Sequence, residues 1–152
     1  MAKSVDSQMG GFKQLAAQLK EAGMRDGGKY LRSSVGLAMT PTLKEARNSA
    51  PVGSVAHRTY KGRLVAPGFA SRNVKKKTTK SKDGTFASAK VGVLSEAFYA
   101  VHFSELGTDI TRHQTAKPWL EPAFARTRHK AQAALGKQLR KKLDRARRIK
   151  GK

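Results

Sequence analysis

The C-terminal segment constrains the fold of this chain more than any other part, because it combines a helical apolar stripe with an extreme charge. Residues 126–152 carry twelve Lys and Arg residues but a single acidic one, Asp144. A helix over 122–148 would be about 40 Å long at roughly 1.5 Å per residue, which exceeds the width of a small domain. We therefore predict that residues 136–152 form a projecting basic extension. The helix itself is predicted from apolar residues at mostly four-residue steps, namely Phe124, Ala131, Leu135, Leu139 and Leu143.

The charge of the whole chain indicates an anionic partner. The 152 residues include 32 Lys and Arg against 10 Asp and Glu, a formal net charge of +22. Such an excess repels itself unless anions lie near it. Residues 72–82 add six basic residues and no acidic one. Nucleic acid, an acidic protein surface or an anionic membrane could supply the opposite charge.

A solvated helix face is the alternative explanation for the basic C-terminal segment, but such faces normally mix the two signs. The chain shows no recognition helix, RNA-binding aromatic motif or zinc finger, so any nucleic-acid contact should be made to phosphates rather than to base edges. We expect contact with DNA phosphates or with an acidic protein surface. The candidate contacts are Lys75, Lys76, Lys77, Lys80, Lys82, Arg126, Arg140, Lys141, Arg145, Arg147 and Arg148.

Two N-terminal helices are predicted to follow a polar arm over residues 1–10. Apolar residues at helical spacing cover 11–22, and a second pattern starts near Asp26. Pro41 lies inside that second pattern. Because proline removes a backbone donor and clashes with the preceding turn, we predict a bend or restart of the helix between Met39 and Leu43.

Two strands are predicted in the middle of the chain, after a loop over 51–68 whose length favours a functional role. The first strand covers Phe69 to Lys77, and the second covers Thr85 to Leu94 with alternating apolar residues. The Asp83-Gly84 pair between them is typical of a hairpin turn. Residues 97–105 fit either a strand or a helix, and we favour a short helix. A polar loop over 107–117 follows.

These elements predict a single α+β domain over residues 11–135. Two N-terminal helices and a long C-terminal helix should pack on a small, mostly antiparallel β-sheet.

The sequence offers little of the chemistry that catalysis needs. It contains no cysteine, and its four histidines lack the spacing of metal ligands. Glu105 has no acidic partner close in sequence, and neither a nucleophile elbow nor a phosphate-binding loop occurs. No apolar run approaches the length of a membrane span or of a signal segment. We therefore expect no enzyme activity, no cofactor, no metal and no membrane partner.

Two short motifs carry a resemblance to a known family. They are Ser104-Glu105-Leu106-Gly107-Thr108 and Lys117-Pro118-Trp119-Leu120-Glu121-Pro122-Ala123. In their order and spacing they resemble the signature of the tail completion, or head–tail joining, proteins, which are neck proteins of long-tailed bacteriophages. Ala50-Pro51-Val52 stands where that family has Ala-Pro-Val after a long helix. The resemblance covers roughly residues 12–134.

The resemblance implies a structural protein of the virion neck that assembles in the host cytoplasm. It implies a homo-oligomeric ring, usually a hexamer, that joins the DNA-filled head to the tail. Its partners would be the tail terminator and head-closure or portal-adaptor proteins, and its basic extension would approach the phage DNA. The alternative that composition allows is a cellular protein that binds nucleic acid without sequence preference.

We also predict a subunit or partner interface at the two motifs, because an apolar Trp stands there in a loop-rich stretch. The predicted interface residues are Glu105, Leu106, Gly107, Thr108, Pro118, Trp119 and Leu120.

Two of these residues have structural interpretations as well. Glu105 could fix the adjacent Gly-Thr turn by accepting backbone N–H bonds. Trp119 could anchor the last helix to the core instead of packing on a neighbouring subunit, where Trp is also favoured.

Overall fold

A computed structural model describes Ala17 and residues 27–59, 61–107 and 115–150. The predicted N-terminal arm and the helix over 11–22 therefore lie outside the described residues, apart from Ala17. The predicted α+β class is confirmed, since helices, one of them long and C-terminal, accompany two small antiparallel sheets. Each sheet has two strands, so the strands form two separate hairpins rather than one sheet.

Helices occur around Pro41, over the 97–105 segment and after Lys117 as predicted, but the middle of the chain holds more short elements than predicted. The helices are α1 (Gly27–Ala38), α2 (Thr40–Ser49), α3 (Phe69–Asn73), α4 (Ser95–Leu106) and α5 (Leu120–Lys150). The strands are β1 (His57–Arg58), β2 (Leu64–Val65), β3 (Val74–Lys80) and β4 (Ala87–Val93). The chain divides into two compact units. The described residues of unit 1 are Ala17, 27–38, 77–90 and 132–150, and those of unit 2 are 39–59, 61–76, 91–107 and 115–131.

The helical pattern breaks at Met39, which confirms the prediction made from Pro41. Helix α1 ends one residue before Met39, and α2 begins one residue after it with Pro41 in its first turn. Proline is tolerated there because the first N–H groups of a helix have no partner within it. Helix α2 ends before Ala50, whose extended backbone suits a residue that precedes proline.

The strand predicted from Phe69 is wrong over its first five residues, which form helix α3. Gly68 precedes this helix with a φ of +77°, a conformation that favours glycine. The side-chain amide of Asn73 donates to the carbonyl oxygen of Phe69 at 2.8 Å and closes the turn. Phe69 and the residue after it are both buried, which a helical turn allows and strand alternation does not. The strand begins only at Val74.

The loop predicted over 51–68 contains a small hairpin that its sequence did not indicate. Strands β1 and β2 pair in antiparallel register, with His57 opposite Val65 and Arg58 opposite Leu64. The connecting turn is held by a hydrogen bond from the amide of Gly62 to the carbonyl of Thr59 at 2.8 Å. The segment is therefore ordered by a short local hairpin rather than by a helix or a long strand.

Unit 1 packs helix α1 against the turn that joins β3 and β4. A Cβ atom placed on Gly28 would lie 2.7 Å from the Cα of Gly84, so two backbones touch where side chains would not fit. Gly84 has a φ of +73°, and the predicted Asp-Gly hairpin turn is confirmed. Nearby, the guanidinium of Arg32 donates to the hydroxyl of Thr78 at 3.2 Å.

Unit 2 holds an apolar core. Buried residues of α2, α3, α4 and the start of α5 meet there around the indole of Trp119. The buried hydroxyls of Thr42 and Thr127 form a hydrogen bond of 2.9 Å that ties α2 to α5. The guanidinium of Arg47 donates twice to the carbonyl of Val74, at 3.1 and 3.2 Å. The core therefore joins α2 both to the start of β3 and to the start of α5.

Candidate functional site

The two motifs meet at a junction between helices α4 and α5. Glu105, in the last turn of α4, accepts hydrogen bonds from the backbone amides of Trp119 at 2.9 Å, Leu120 at 3.2 Å and Glu121 at 3.3 Å. The amide of Lys117 donates to the carbonyl of Ser104 at 2.8 Å. The carboxylate therefore holds the first N–H groups of α5, which have no acceptor within the helix.

Glu105 replaces the residue that usually caps a helix. The residue before α5 is Trp119, which has no side-chain acceptor, so the cap comes from 14 residues earlier in the chain. A negative charge at a helix N-terminus also interacts favourably with the helix dipole. The prediction that Glu105 accepts backbone N–H bonds is confirmed at the start of α5, whereas the adjacent turn continues into residues outside the described part of the chain.

Gly107 completes the first motif at the end of α4. Its φ of +75° places it in the left-handed region, where glycine commonly terminates helices. Thr108 lies outside the described residues. Within residues 115–119 the chain has no helix or strand, as predicted for the polar loop.

Trp119 is buried within its own chain. Its side chain is only 6% exposed and lies in the core of unit 2 with Val74, Val101 and Ala123. Leu120 is partly buried against the same core. The alternative interpretation, in which Trp119 anchors the last helix, is the one the structure supports. The indole N–H has no acceptor among the described residues.

The remaining members of the predicted interface differ in exposure. Pro118 is exposed. Leu106 is 67% exposed and belongs to an apolar surface that the sequence analysis missed. Leu94, Phe98, His102 and Leu106 follow one another at four-residue steps along α4 and the residue before it, and we call this row the α4 ridge. The rings of Phe98 and His102 lie 5.1 Å apart. The four-residue spacing was visible in the sequence, but the strand alternative for this segment concealed it.

A cleft lies beside the other side of α4, in the loop that was predicted to be functional. It encloses about 250 Å³ and is lined by residues that include Pro51, Val52, Pro67, Phe69 and Ser104.

His57 lies on the wall of this cleft. Its Nε2 forms a hydrogen bond of 2.7 Å with the hydroxyl of Tyr99, and its ring meets Phe69 edge-on at 6.3 Å. These contacts order the cleft wall. We name this feature the His57 cleft.

The basic residues of the hairpin formed by β3 and β4 lie in both units. In unit 2, Lys75 is exposed and the ammonium of Lys76 donates to the hydroxyl of Thr40 at 3.1 Å. In unit 1, Lys77, Lys80 and Lys82 are exposed.

The hairpin turn itself carries a stabilised carboxylate. Hydrogen bonds from the side chain of Ser81, and from the side chain and backbone of Thr85, lower the pKa of Asp83 from 3.8 to about 2. An ionised Asp83 thus lies among these lysines.

The basic residues of α5 do not act alike. The guanidinium of Arg126 donates to Glu45 and to the hydroxyl of Ser49, each at 2.9 Å, and so holds α5 to α2 within unit 2. In unit 1 the ammonium of Lys142 lies 5.2 Å above the ring of Tyr30, a cation–π contact.

The other candidates of α5 lie exposed in unit 1. Arg140, Lys141, Arg145 and Arg148 make no ion pair with any described residue. The side chain of Arg147 lies outside the described part of the structure. The exposed cations of α5 are therefore open to an anionic partner, whereas Arg126 serves the fold.

Among the described residues, no three His, Cys, Asp or Glu side chains come together as metal ligands. None of the described helices is both long and apolar enough to cross a membrane.

Comparison with known proteins finds no family model that matches the chain, no match among the curated proteins and none among the solved structures.

Proposed function

We propose that the chain is a structural subunit of a phage neck, which forms a ring that joins the DNA-filled head to the tail. The observation that carries this proposal is the junction between the two motifs. Glu105 of the first motif holds the backbone of residues 119–121 of the second. The resemblance to neck proteins rests on these motifs, and their direct contact gives a physical reason for their occurrence together.

The chemistry of the junction favours assembly over catalysis. A carboxylate that accepts backbone N–H bonds from three successive residues positions a helix and is poorly placed to act as a general base. Around it, unit 2 exposes several large apolar side chains, among them Phe98 and Leu106. Exposed apolar surface of this kind marks protein–protein contacts.

The test is genetic, in the phage that encodes the chain. Deletion of the gene should leave DNA-filled heads and complete tails that remain separate, as counted by negative-stain electron microscopy. Wild-type protein supplied from a plasmid should restore joined particles. Joined, infectious particles at normal yield in the deletion would overturn the proposal.

The exposed cations of unit 1 favour a second candidate function, the binding of DNA without sequence preference. Arg140, Lys141 and Arg145 lie on α5 without an acidic partner among the described residues. If about six phosphates are engaged, the slope of log affinity against log salt should be about −5. In the neck these cations would approach the DNA that leaves the head, and in a cellular protein they would be the whole binding site.

A matched pair of variants tests this second candidate. Replacing Arg140, Lys141 and Arg145 together by Gln should reduce the salt slope by about 3, since each phosphate contact contributes about 0.9. The Arg126→Gln variant should leave the slope nearly unchanged, because Arg126 is paired with Glu45. The measurement is fluorescence anisotropy with a labelled duplex of random sequence. Binding to an acidic neck protein, without DNA affinity at about 0.1 M salt, would exclude DNA as the partner.

A further inference from the structure

Helix α4 is apolar on a face that the described residues of its own chain leave open. Ala97 and Val101 bury one side of the helix in unit 2. The α4 ridge follows another side, where Leu94 is 46% and Phe98 55% exposed, in addition to the exposed Leu106. A helix that is apolar all round is normally covered on every side. Residues four apart are neighbours on a helix surface, so the ridge forms one continuous row for a partner to cover.

The charge of α4 identifies the partner as a second copy of this chain. Residues 95–106 contain no Lys or Arg and two acidic residues, Glu96 and Glu105, whereas each of the other described helices contains basic residues. Copies of a chain with a net charge of +22 repel one another over most of their surface. The face around α4 is where two copies can approach with the least repulsion.

The His57 cleft offers the complementary surface. An apolar cavity of roughly 150 Å³ already accommodates benzene, so a cleft of about 250 Å³ has room for a Phe or Leu side chain. Residues 57–72 beside it carry four basic residues and no acidic one. One of them, Arg63, already pairs with Glu96 of α4 in the same copy at 3.8 Å, so the fit between ridge and cleft is one of apolar side chains.

We propose that the α4 ridge of one copy inserts into the His57 cleft of the next. This inference rests on the ring proposed above and names its interface. Ser104 lines the cleft and Leu106 ends the ridge; two residues apart on a helix, they project about 160° from each other. The two surfaces of one copy therefore serve different neighbours. Such a head-to-tail contact closes into a ring when its rotation permits.

The first experiment measures the mass of the full chain by native mass spectrometry. The ridge variant combines Phe98→Asp with Leu106→Asp, and the cleft variant is Val52→Asp. The control is Leu37→Asp, which places the same charge on an equally exposed leucine of α1 in unit 1. The wild type and the control should form a ring, and each interface variant should be monomeric. A mixture of the two interface variants should give a one-to-one dimer, because one intact ridge still meets one intact cleft.

Disulfide trapping gives a second readout that does not depend on the aspartate variants folding. The chain has no cysteine, so an introduced pair is unambiguous. Mixing Leu106→Cys with Val52→Cys under oxidising conditions should yield a mixed dimer on a non-reducing gel. Leu37→Cys mixed with Val52→Cys should not.

Four outcomes would overturn the inference. They are a monomeric wild type at high micromolar concentration, an oligomeric ridge variant, a cleft variant that keeps its ring, and trapping no stronger than in the control. The third outcome, with a monomeric ridge variant, would mean that the ridge meets a surface other than the cleft. The neck assignment can fail separately: a ring that needs both surfaces, together with joined particles in the gene deletion, would refute the assignment and leave the interface standing.

Discussion

The two units of this chain stabilise themselves by different means. Unit 2 buries Trp119, Phe69, Val74 and Val101 among alanines, and Glu105 closes its helix junction. The described part of unit 1 fully buries one large apolar side chain, Leu31, and relies on backbone contact between glycines. Apolar burial contributes stability roughly in proportion to area. Among the described residues, apolar burial therefore contributes more to unit 2 than to unit 1.

The surfaces of the two units differ as well. Unit 2 exposes apolar side chains along the α4 ridge and beside the His57 cleft. Unit 1 exposes Lys and Arg residues, and its described part has only two acidic residues, Asp83 and Asp144. An apolar surface suits a protein partner, and a basic surface suits phosphates. These surfaces fit the two proposals made above, protein contact for unit 2 and anion contact for unit 1.

The largest expected effect is the loss of the indole from the core of unit 2. Trp119→Ala should reduce the free energy of unfolding by about 3–5 kcal/mol, because it leaves a cavity. Trp119→Phe should cost much less, because it keeps most of the volume and removes an N–H that has no acceptor among the described residues. Urea unfolding followed by circular dichroism measures both. Equal losses in the two variants would contradict the core role described here.

A smaller loss is expected where backbones touch in unit 1. In Gly28→Ala the new methyl group would lie 2.7 Å from the Cα of Gly84, so the variant should lose about 1–3 kcal/mol. Gly136→Ala is the control, since nothing lies within 4 Å of a Cβ there, and a helix interior favours Ala by up to about 1 kcal/mol. Thermal unfolding should shift down for the first variant and up for the second. A neutral Gly28→Ala would show that α1 and the turn can separate at little cost.

The cap of α5 should contribute about 1–2 kcal/mol to unit 2. Glu105→Ala removes the acceptor for three backbone N–H groups, and caps of this kind are worth roughly that amount. Glu105→Gln keeps one acceptor oxygen and should lose about half as much. Hydrogen exchange of the amides of residues 119–121 should accelerate in both variants. Unchanged exchange would mean that water replaces the carboxylate fully.

The smallest effect is expected at the hairpin turn of unit 1. The pKa of Asp83 is depressed to about 2 from 3.8. A depressed carboxyl pKa stabilises the fold above the unfolded value, and that contribution is lost as pH falls between about 4 and 2. Replacing Asp83 by Asn should flatten this part of the pH dependence of unfolding. An NMR titration of the Asp83 carboxyl that gives an ordinary pKa would contradict the hydrogen-bonded turn.

Local patterns in the sequence predicted much of the fold. Pro41 marked the break between α1 and α2, and Asp83-Gly84 marked the hairpin turn. Apolar residues at four-residue steps predicted α5, which begins at Leu120 and ends at Lys150. Proline, glycine and periodicity act through a few neighbouring residues, so a single sequence is enough to locate such features.

The tertiary structure decided what these elements do. The loop-rich stretch around Trp119 allowed either a core position or a subunit contact, and the structure buries Trp119 in a core with residues of α2, α3 and α4. Arg126 belongs to a basic run that predicted contact with an anionic partner. Its guanidinium instead pairs with Glu45, which lies 81 residues away in sequence. Glu105 caps a helix that begins beyond a loop. Burial and pairing of this kind depend on residues distant in sequence, and a local pattern does not predict which distant residue makes the contact.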